Sequence, residues 1–282
     1  MVLHGNNNRF FADLFAIWWL GGCAVCVDPE IGAMEYDTLT SHAGVRTALV
    51  DGGAPHKLAK SGESVNVVDT SLADRDYMAH AEPPSLPRPA PDSDALILYT
   101  SGSTGNPKGV VHTFRTLLTK WTILEYYVPL DVCSNTLCLL PTHFGHGLIC
   151  NSLYPLVNGK HLVIAPKSDM AILSDLETII SEHGITFMSS VPAMWKLVLR
   201  LCDEPRDRSL RQVHIGSAPL DEDLWTEVQR WTGINRVWNV YGITETGSWV
   251  AGTNREAVSP KSGLVGKGWG GRILVSSCGS TA

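Results

Sequence analysis

The chain has 282 residues, 44% hydrophobic and 18% charged, enough apolar material for one large core or two smaller ones. Its formal net charge of −6, with no basic cluster, argues against a nucleic-acid-binding surface. Seven scattered cysteines and a start, Met1 to Asn8, without a basic or apolar leader pattern predict reduced thiols in a cytoplasmic protein.

The apolar stretch from Phe10 to Val27 is interrupted by Asp13 and by Gly21-Gly22. It therefore predicts a helix over 10–20, a glycine turn and a strand over 23–27 rather than a membrane span. Cys23 and Cys26 spell C-x-x-C, but no second pair or histidine set stands at metal-site spacing. On a strand the two face opposite ways, so they are read as structural thiols. A helix over 35–43 closed by Gly44 and a strand over 47–50 follow. Residues 51–94 break the alternation with Pro83, Pro84, Pro87, Pro89 and Pro91, and predict a solvated, semi-extended connector.

The run Ala95 to Leu98 predicts a buried strand, and it feeds Tyr99 to Gly109, read Tyr-Thr-Ser-Gly-Ser-Thr-Gly-Asn-Pro-Lys-Gly. Gly102 and Gly105 let backbone N–H groups approach oxygen atoms closely. The hydroxyls of Thr100, Ser101, Ser103 and Thr104 add donors, and Lys108 adds a charge. Placed between a strand and a helix, this chemistry suits a polyphosphate. The spacing is not that of a Walker A loop, because Asn106-Pro107 separates the second glycine from the lysine.

Downstream, a helix is expected over 113–127 and a strand over 137–140, running into Pro141-Thr-His-Phe-Gly-His-Gly-Leu148. A helical stretch to Leu156 and a strand over 161–165 come next. A helix capped by Ser168 should bury Ile172, Leu173, Leu176, Ile179 and Ile180 and stop at Gly184. Strands over 185–188, 211–215 and 236–240 alternate with helices opened by Pro192 and capped by Asp221. A further strand is expected over 272–275. Apolar strands thus precede three polar, glycine-bearing segments: 99–109, 216–220 and 241–247. In a doubly wound parallel sheet such segments meet on one edge, which is where ligands bind.

These segments carry a resemblance. The loop 99–109 is similar to the phosphate loop of the adenylate-forming (AMP-binding) superfamily, the family of acyl-CoA synthetases and nonribosomal-peptide adenylation domains. Gly216-Ser-Ala-Pro-Leu220 resembles its adenine-side loop, Tyr241-Gly-Ile-Thr-Glu245 its Y-G-x-T-E motif, and 141–148 its acyl-substrate motif. The resemblance implies an α/β fold of two doubly wound lobes with mainly parallel sheets, an αβαβα sandwich. The lobes would span 1–130 and 131–247, and a small β-rich subdomain would begin within 248–282. It implies an AMP-forming acid–thiol ligase: ATP activates a carboxylic acid, and the acyl-adenylate passes to a thiol such as coenzyme A.

The implied ATP contacts are Thr100, Ser101, Gly102, Ser103, Thr104, Gly105, Lys108, Gly216, Ser217, Ala218, Pro219, Asn239, Tyr241, Gly242 and Thr244. Thr104, Lys108, Thr244 and Glu245 would serve catalysis, with Glu245 on Mg²⁺. His143, Phe144, Gly145 and His146 would face the acid. Phe144 stands where many members carry histidine. The apolar residues of 141–156 favour a fatty or aryl acid. The acidic ribose motif and the lysine-bearing C-terminal domain of the family are not in the sequence, which reads as a fragment of the large N-terminal domain. A nucleotide-binding remnant without turnover and a carrier-protein-loading adenylation domain are the alternatives; the oligomeric state is left open.

Overall fold

The computed structural model describes residues 1–52, 65–72, 88–100, 107–166, 169–254 and 258–274. Asn7 caps α1 (Asn8–Trp19) by accepting from Phe10 N at 2.8 Å, and the helix buries Phe10, Leu14 and Trp18. Strands β1 (Val2–Leu3), β2 (Ala24–Cys26), β3 (Thr47–Val50), β4 (Asn66–Asp69), β5 (Asp94–Thr100) and β6 (Lys108–Thr113) form the first sheet, in the order β4-β3-β1-β2-β5-β6. All neighbours in it run parallel except β5 and β6. Helix α2 (Ala33–Ala43) ends where Gly44 takes a left-handed φ of 60°.

Two expectations are corrected here. The stretch 51–94 is not only a connector: Asn66–Asp69 is an edge strand on β3. Its Val-Val core is too short to stand out from the polar sequence around it. The segment after β5 does not lead into a helix either. Thr100 pairs with Lys108, so β6 returns antiparallel along β5. Helix α3 (Phe114–Tyr127), capped by Thr113, begins only after β6.

The second sheet has the order β13-β12-β11-β10-β9-β7-β8. It is built from β7 (Asn135–Cys138), β8 (His161–Ile164), β9 (Phe187–Ser190), β10 (Gln212–Gly216), β11 (Val237–Ile243), β12 (Ser248–Gly252) and β13 (Lys267–Gly268). Strands β8 to β11 are joined in parallel, and β12 and β13 are antiparallel additions. Ser248–Gly252 and Lys267–Gly268 therefore extend this sheet, and 272–274 are not a strand. A π-helix, His146–Leu153, runs into α4 (Tyr154–Val157). Helices α5 (Met170–Ser174), capped by Asp169, α6 (Leu176–His183), α7 (Pro192–Leu201) and α8 (Glu222–Thr232), capped by Asp221, complete the chain. The cap expected at Ser168 is thus supplied one residue later; Ser168 itself lies outside the described residues.

Three cores order the layers. One lies outside the first sheet, joining Leu3, Val25, Ala48 and Val50 to Tyr36 and Leu39 of α2. One lies outside the second sheet, under α5 to α8, with Trp195, Trp225 and Val228. The third lies between the sheets, where Phe10, Leu96, Leu98, Leu117, Leu124, Ile149, Phe187, Val240 and Trp249 meet. Helix, sheet, helix, sheet, helix is the result, a mostly parallel α/β sandwich. Full burial of one such side chain contributes about 1.5–3 kcal/mol. The C-x-x-C pair is structural in this packing: burial pushes the Cys23 thiol up to about 11 and Cys26 up to about 12, so neither is a thiolate at neutral pH.

Candidate nucleotide and acid site

The ends of β10 and β11 lie side by side, with Gly216 opposite Val240 in the register. A Cβ on Gly216 would meet the Val240 carbonyl oxygen at 2.7 Å, so the close approach requires glycine. Ser217 follows with φ 64°, a left-handed conformation that costs a non-glycine residue of order 1 kcal/mol. Its hydroxyl is held by His146 Nδ1 at 2.8 Å, while His146 Nε2 meets Ser189 Oγ at 2.5 Å. The turn after β10 thus rests on a serine–histidine–serine chain that joins the π-helix to β9.

Histidine beside an exposed serine could suggest a nucleophile and its base. Its environment excludes that role. His146 is 3% exposed, and burial lowers its pKa to about 3, so it is neutral and a poor base at pH 7. The network positions the turn.

Strand β11 runs further than the sequence suggests. Tyr241, Gly242 and Ile243 remain paired with β12 through a bulge at Tyr241/Gly242. A Cβ on Gly242 would lie 2.1 Å from the Ser248 carbonyl oxygen. Only Thr244–Thr246 forms the turn proper, a short 3₁₀ segment closed by Gly247 at φ 67°. Tyr241 is half exposed, Thr244 partly exposed and Glu245 exposed, so this rim faces solvent.

The stem of the hairpin reaches the same place. His112 of β6, 4% exposed, lies against this turn: its Cε1 is 4.0 Å from the Cβ position of Gly247, and the nearby Thr244 backbone opposes the lowering of its pKa by burial. Lys120 of α3, also buried, donates from Nζ to the Trp249 carbonyl oxygen at 2.8 Å. Cys150 of the π-helix lies 3.4 Å from the Gly247 carbonyl oxygen. Lys108 is exposed on the stem, opposite Thr100. Ser101, Gly102, Ser103, Thr104 and Gly105 lie outside the described residues.

The expected acid-side residues separate. Gly145 is buried, and its Cβ position lies 3.4 Å from Leu98 Cδ1. Phe144 is exposed by 41% and sits 6.4 Å from the His146 ring. His143 turns to a different cleft. Its Nε2 is 3.8 Å from Asp28 Oδ2, and it lines a cavity of about 340 Å³ with Asn6, Pro29, Glu30 and Asp169. Burial lowers its pKa, opposed by Asp28. Asn239 is committed elsewhere: its side-chain amide donates to the Leu264 carbonyl oxygen at 2.8 Å, and its backbone N–H to Thr253 Oγ1 at 3.1 Å. Ala218 and Pro219 are exposed beside Ser217.

Sequence reasoning missed His112, Lys120 and Trp249. Lys120 did carry a signal: it stands at helical spacing on the buried stripe Leu117, Trp121 and Leu124, where a lysine is out of place. Trp249 had none. It packs on His214 at 4.6 Å, His146 at 5.4 Å and Trp269 at 6.2 Å, a set that only the fold assembles.

The stem of β5 and β6, the turn after β10 and the Thr244–Glu245 turn are thus linked through His112, His146, Lys120 and Trp249, and the family model described as AMP-binding enzyme matches residues 1–275. The chain belongs to the AMP-binding enzyme family. A sulfoacetate–CoA ligase of Cupriavidus necator is 29% identical over 237 residues, 83% of this chain and 44% of that protein. A feruloyl-CoA synthase of an Amycolatopsis species is 29% identical over 279 residues, 93% of this chain and 52% of that protein. The chain spans about half the length of these relatives. In fold it is similar to the anthranilate CoA ligase AuaEII solved with anthranoyl-AMP, with a TM-score of 0.83 at 20% identity over 96% of this chain and 53% of that one. It is also similar to the N-terminal domain of FACL13 from Mycobacterium tuberculosis, with a TM-score of 0.83 at 20% identity, covering 95% of this chain and 68% of that one.

Proposed function

We propose that this chain supplies the adenylating half of an AMP-forming acid–thiol ligase. A carboxylate oxygen attacks the α-phosphorus of ATP in line, and the bond to pyrophosphate breaks with its electron pair leaving on pyrophosphate. A thiolate, that of coenzyme A in the favoured reading, then attacks the acyl carbon and AMP departs. The observation that carries this reading is the meeting of β6 with the turn bearing Thr244 and Glu245: buried His112 lies beside the Thr244 backbone, with its Cε1 4.0 Å from the Cβ position of Gly247.

Each residue has a physical part. The half-exposed ring of Tyr241 offers a stacking face for adenine, with Gly216, Ser217, Ala218 and Pro219 on the other side and Gly242 keeping the strand edge low. Thr100, Ser101, Gly102, Ser103, Thr104 and Gly105 offer hydroxyl and backbone donors to the phosphates, and Lys108 offers its ammonium. Thr244 donates to a phosphate oxygen. Of the residues 143–146, exposed Phe144 is the one placed to meet the acid, His143 lines its own cleft with Asp28, and Gly145 and His146 stand buried behind it; Asn239 is committed to the Leu264 carbonyl. Catalysis is then positioning and charge stabilisation.

Among the described residues no group of three His, Cys, Asp or Glu side chains could cage a metal. One exposed carboxylate, Glu245, instead suits a Mg²⁺ that arrives on the phosphates and keeps its waters. Bound there, the ion would neutralise charge on the departing pyrophosphate. The division into lobes at 1–130 and 131–247, with 248–282 opening a further piece, and a cytoplasmic location belong to the same proposal.

Pyrophosphate exchange over a panel of carboxylic acids tests it, in the protein that carries this chain. The expected products are AMP and pyrophosphate; ADP formation, or no exchange with any acid, overturns the reading. Lys108→Ala should lower exchange by about a hundredfold with the fold intact, the scale on which one charge-stabilising donor acts. Whether thioester forms with coenzyme A alone or needs a carrier-protein thiol separates the two acceptors.

A further inference from the structure

The turn that bears Thr244 and Glu245 is held from beneath by side chains of three other elements. His112 of β6 packs beside the Thr244 backbone, with its Cε1 4.0 Å from the Cβ position of Gly247. Cys150 of the π-helix approaches the Gly247 carbonyl at 3.4 Å. Lys120 of α3 donates to the Trp249 carbonyl at 2.8 Å, and its Cε lies 3.2 Å from the Cβ position of Gly247. The turn needs such support. Gly247 and Ser248 both have left-handed φ values, 67° and 74°, and Ser248 is not a glycine.

A lysine is an expensive choice for this place. It is 8% exposed, and among the described residues no carboxylate pairs with it. A buried ammonium without a carboxylate partner costs far more than the methionine or leucine that the stripe of α3 would otherwise accept. Its position also joins the two sheets: α3 follows directly from the phosphate hairpin, whereas the turn belongs to the second sheet.

We propose that Lys120 is a positioning residue for the Thr244–Glu245 turn, which it clamps together with His112 and Cys150 so that Thr244 and Glu245 meet the nucleotide already placed. The proposal rests on the functional reading above. It deepens that reading by assigning the geometry of the turn to the element behind the phosphate hairpin.

Two readouts test it and fail separately. Amide hydrogen exchange at Gly247, whose N–H donates to Thr244 O at 3.0 Å, reports the clamp without any ligand. The KM values for ATP and for the acid in pyrophosphate exchange report its use. In Lys120→Met, exchange at Gly247 should quicken about tenfold and the KM for ATP rise about tenfold, the loss expected for one hydrogen bond to a charged group. The KM for the acid should stay within about twofold. Lys120→Arg, which keeps the charge and a donor, should restore both towards the parent. Cys150→Ala, a small truncation, should shift both in the same direction by less, and it serves where the lysine variants do not fold. Unchanged exchange at Gly247 in Lys120→Met overturns the clamp. Quickened exchange with an unchanged KM for ATP, or with the acid KM rising equally, overturns the positioning role. If the parent protein itself makes no AMP from any acid, the functional reading falls, and amide exchange alone still decides the clamp.

Discussion

The turn after β10 and the turn after β11 are neighbours with different supports. Each contains a serine at left-handed φ, Ser217 at 64° and Ser248 at 74°. Ser217 is held by neutral partners from its own half of the molecule: His146 of the π-helix, itself bonded to Ser189 of β9. The 244–249 turn is held across the sandwich, by His112 and Lys120 of the hairpin half together with Cys150. A neutral support is inert near pH 7 and fails only in acid. A support that bridges two sheets can instead register how those sheets pack. Strain is tolerated in both turns because the surroundings over-determine it.

The comparison can be broken most forcefully at Trp249, which underlies both turns. It contacts His146 on one side and presents its carbonyl to Lys120 on the other. Trp249→Ala should cost about 3–5 kcal/mol in urea unfolding, the range for deleting a buried large aromatic. A loss below about 1 kcal/mol would mean that the ring wall is not shared.

Acid should reach the first support through His146 and the second through His112, whose pKa burial also lowers. Burial holds the folded pKa of His146 at about 3, below the ordinary histidine value of 6.5, so between these values the unfolded chain binds more protons. Its contribution is therefore full above about pH 6.5 and is lost as pH falls towards 3, by about 1.4 kcal/mol per pH unit for one proton. His214, buried with its pKa lowered for the same reason, adds to the slope. His146→Gln should flatten unfolding free energy against pH by about one proton between pH 6.5 and 5. An unchanged slope would place the titration elsewhere.

The first turn can be sharpened at Ser217. Ser217→Ala keeps the strained backbone and strips Nδ1 of His146 of its partner, and should cost about 1–2 kcal/mol. Ser217→Gly loses the same bond but relieves the left-handed strain, and should cost about 1 kcal/mol less than the alanine variant. Equal losses would show that the strain at 217 is negligible. The smallest effect on stability belongs to the second turn. Glu245→Gln, at an exposed site, should change unfolding by less than about 0.5 kcal/mol. It should nevertheless raise the Mg²⁺ concentration needed for half-maximal pyrophosphate exchange. An identical Mg²⁺ titration would return Glu245 to a solvated loop carboxylate.

Much of the architecture could be read from the chain alone, because its signals are local. Gly44, Gly184 and Gly233 end helices in left-handed conformations, and Asp221 caps α8 from its own side chain. Short β-branched runs separated by helices dictate parallel strands with crossovers, and the polar turns at their ends are visible as composition. What failed locally failed for a stated reason. The pattern 141–156 looked like the wall of a fatty or aryl pocket, yet all eight residues of the π-helix are buried against the cores. Apolar composition does not distinguish a pocket lining from a core. The segment 99–109 was expected between strand and helix, but the run Val110–His112 pairs back on β5, a choice that depends on which edge is free.

The sequence by itself determined the family and the parallel α/β plan, since both are written in neighbouring residues. Only the tertiary structure decided which side chains stand behind the polar turns. His146 and Ser217 are 71 residues apart, and Lys120 and Trp249 are 129 apart. No periodicity links such positions. Their contacts exist because two sheets close on one layer of helices, and burial then makes His146 neutral and seats the Lys120 ammonium on the Trp249 carbonyl.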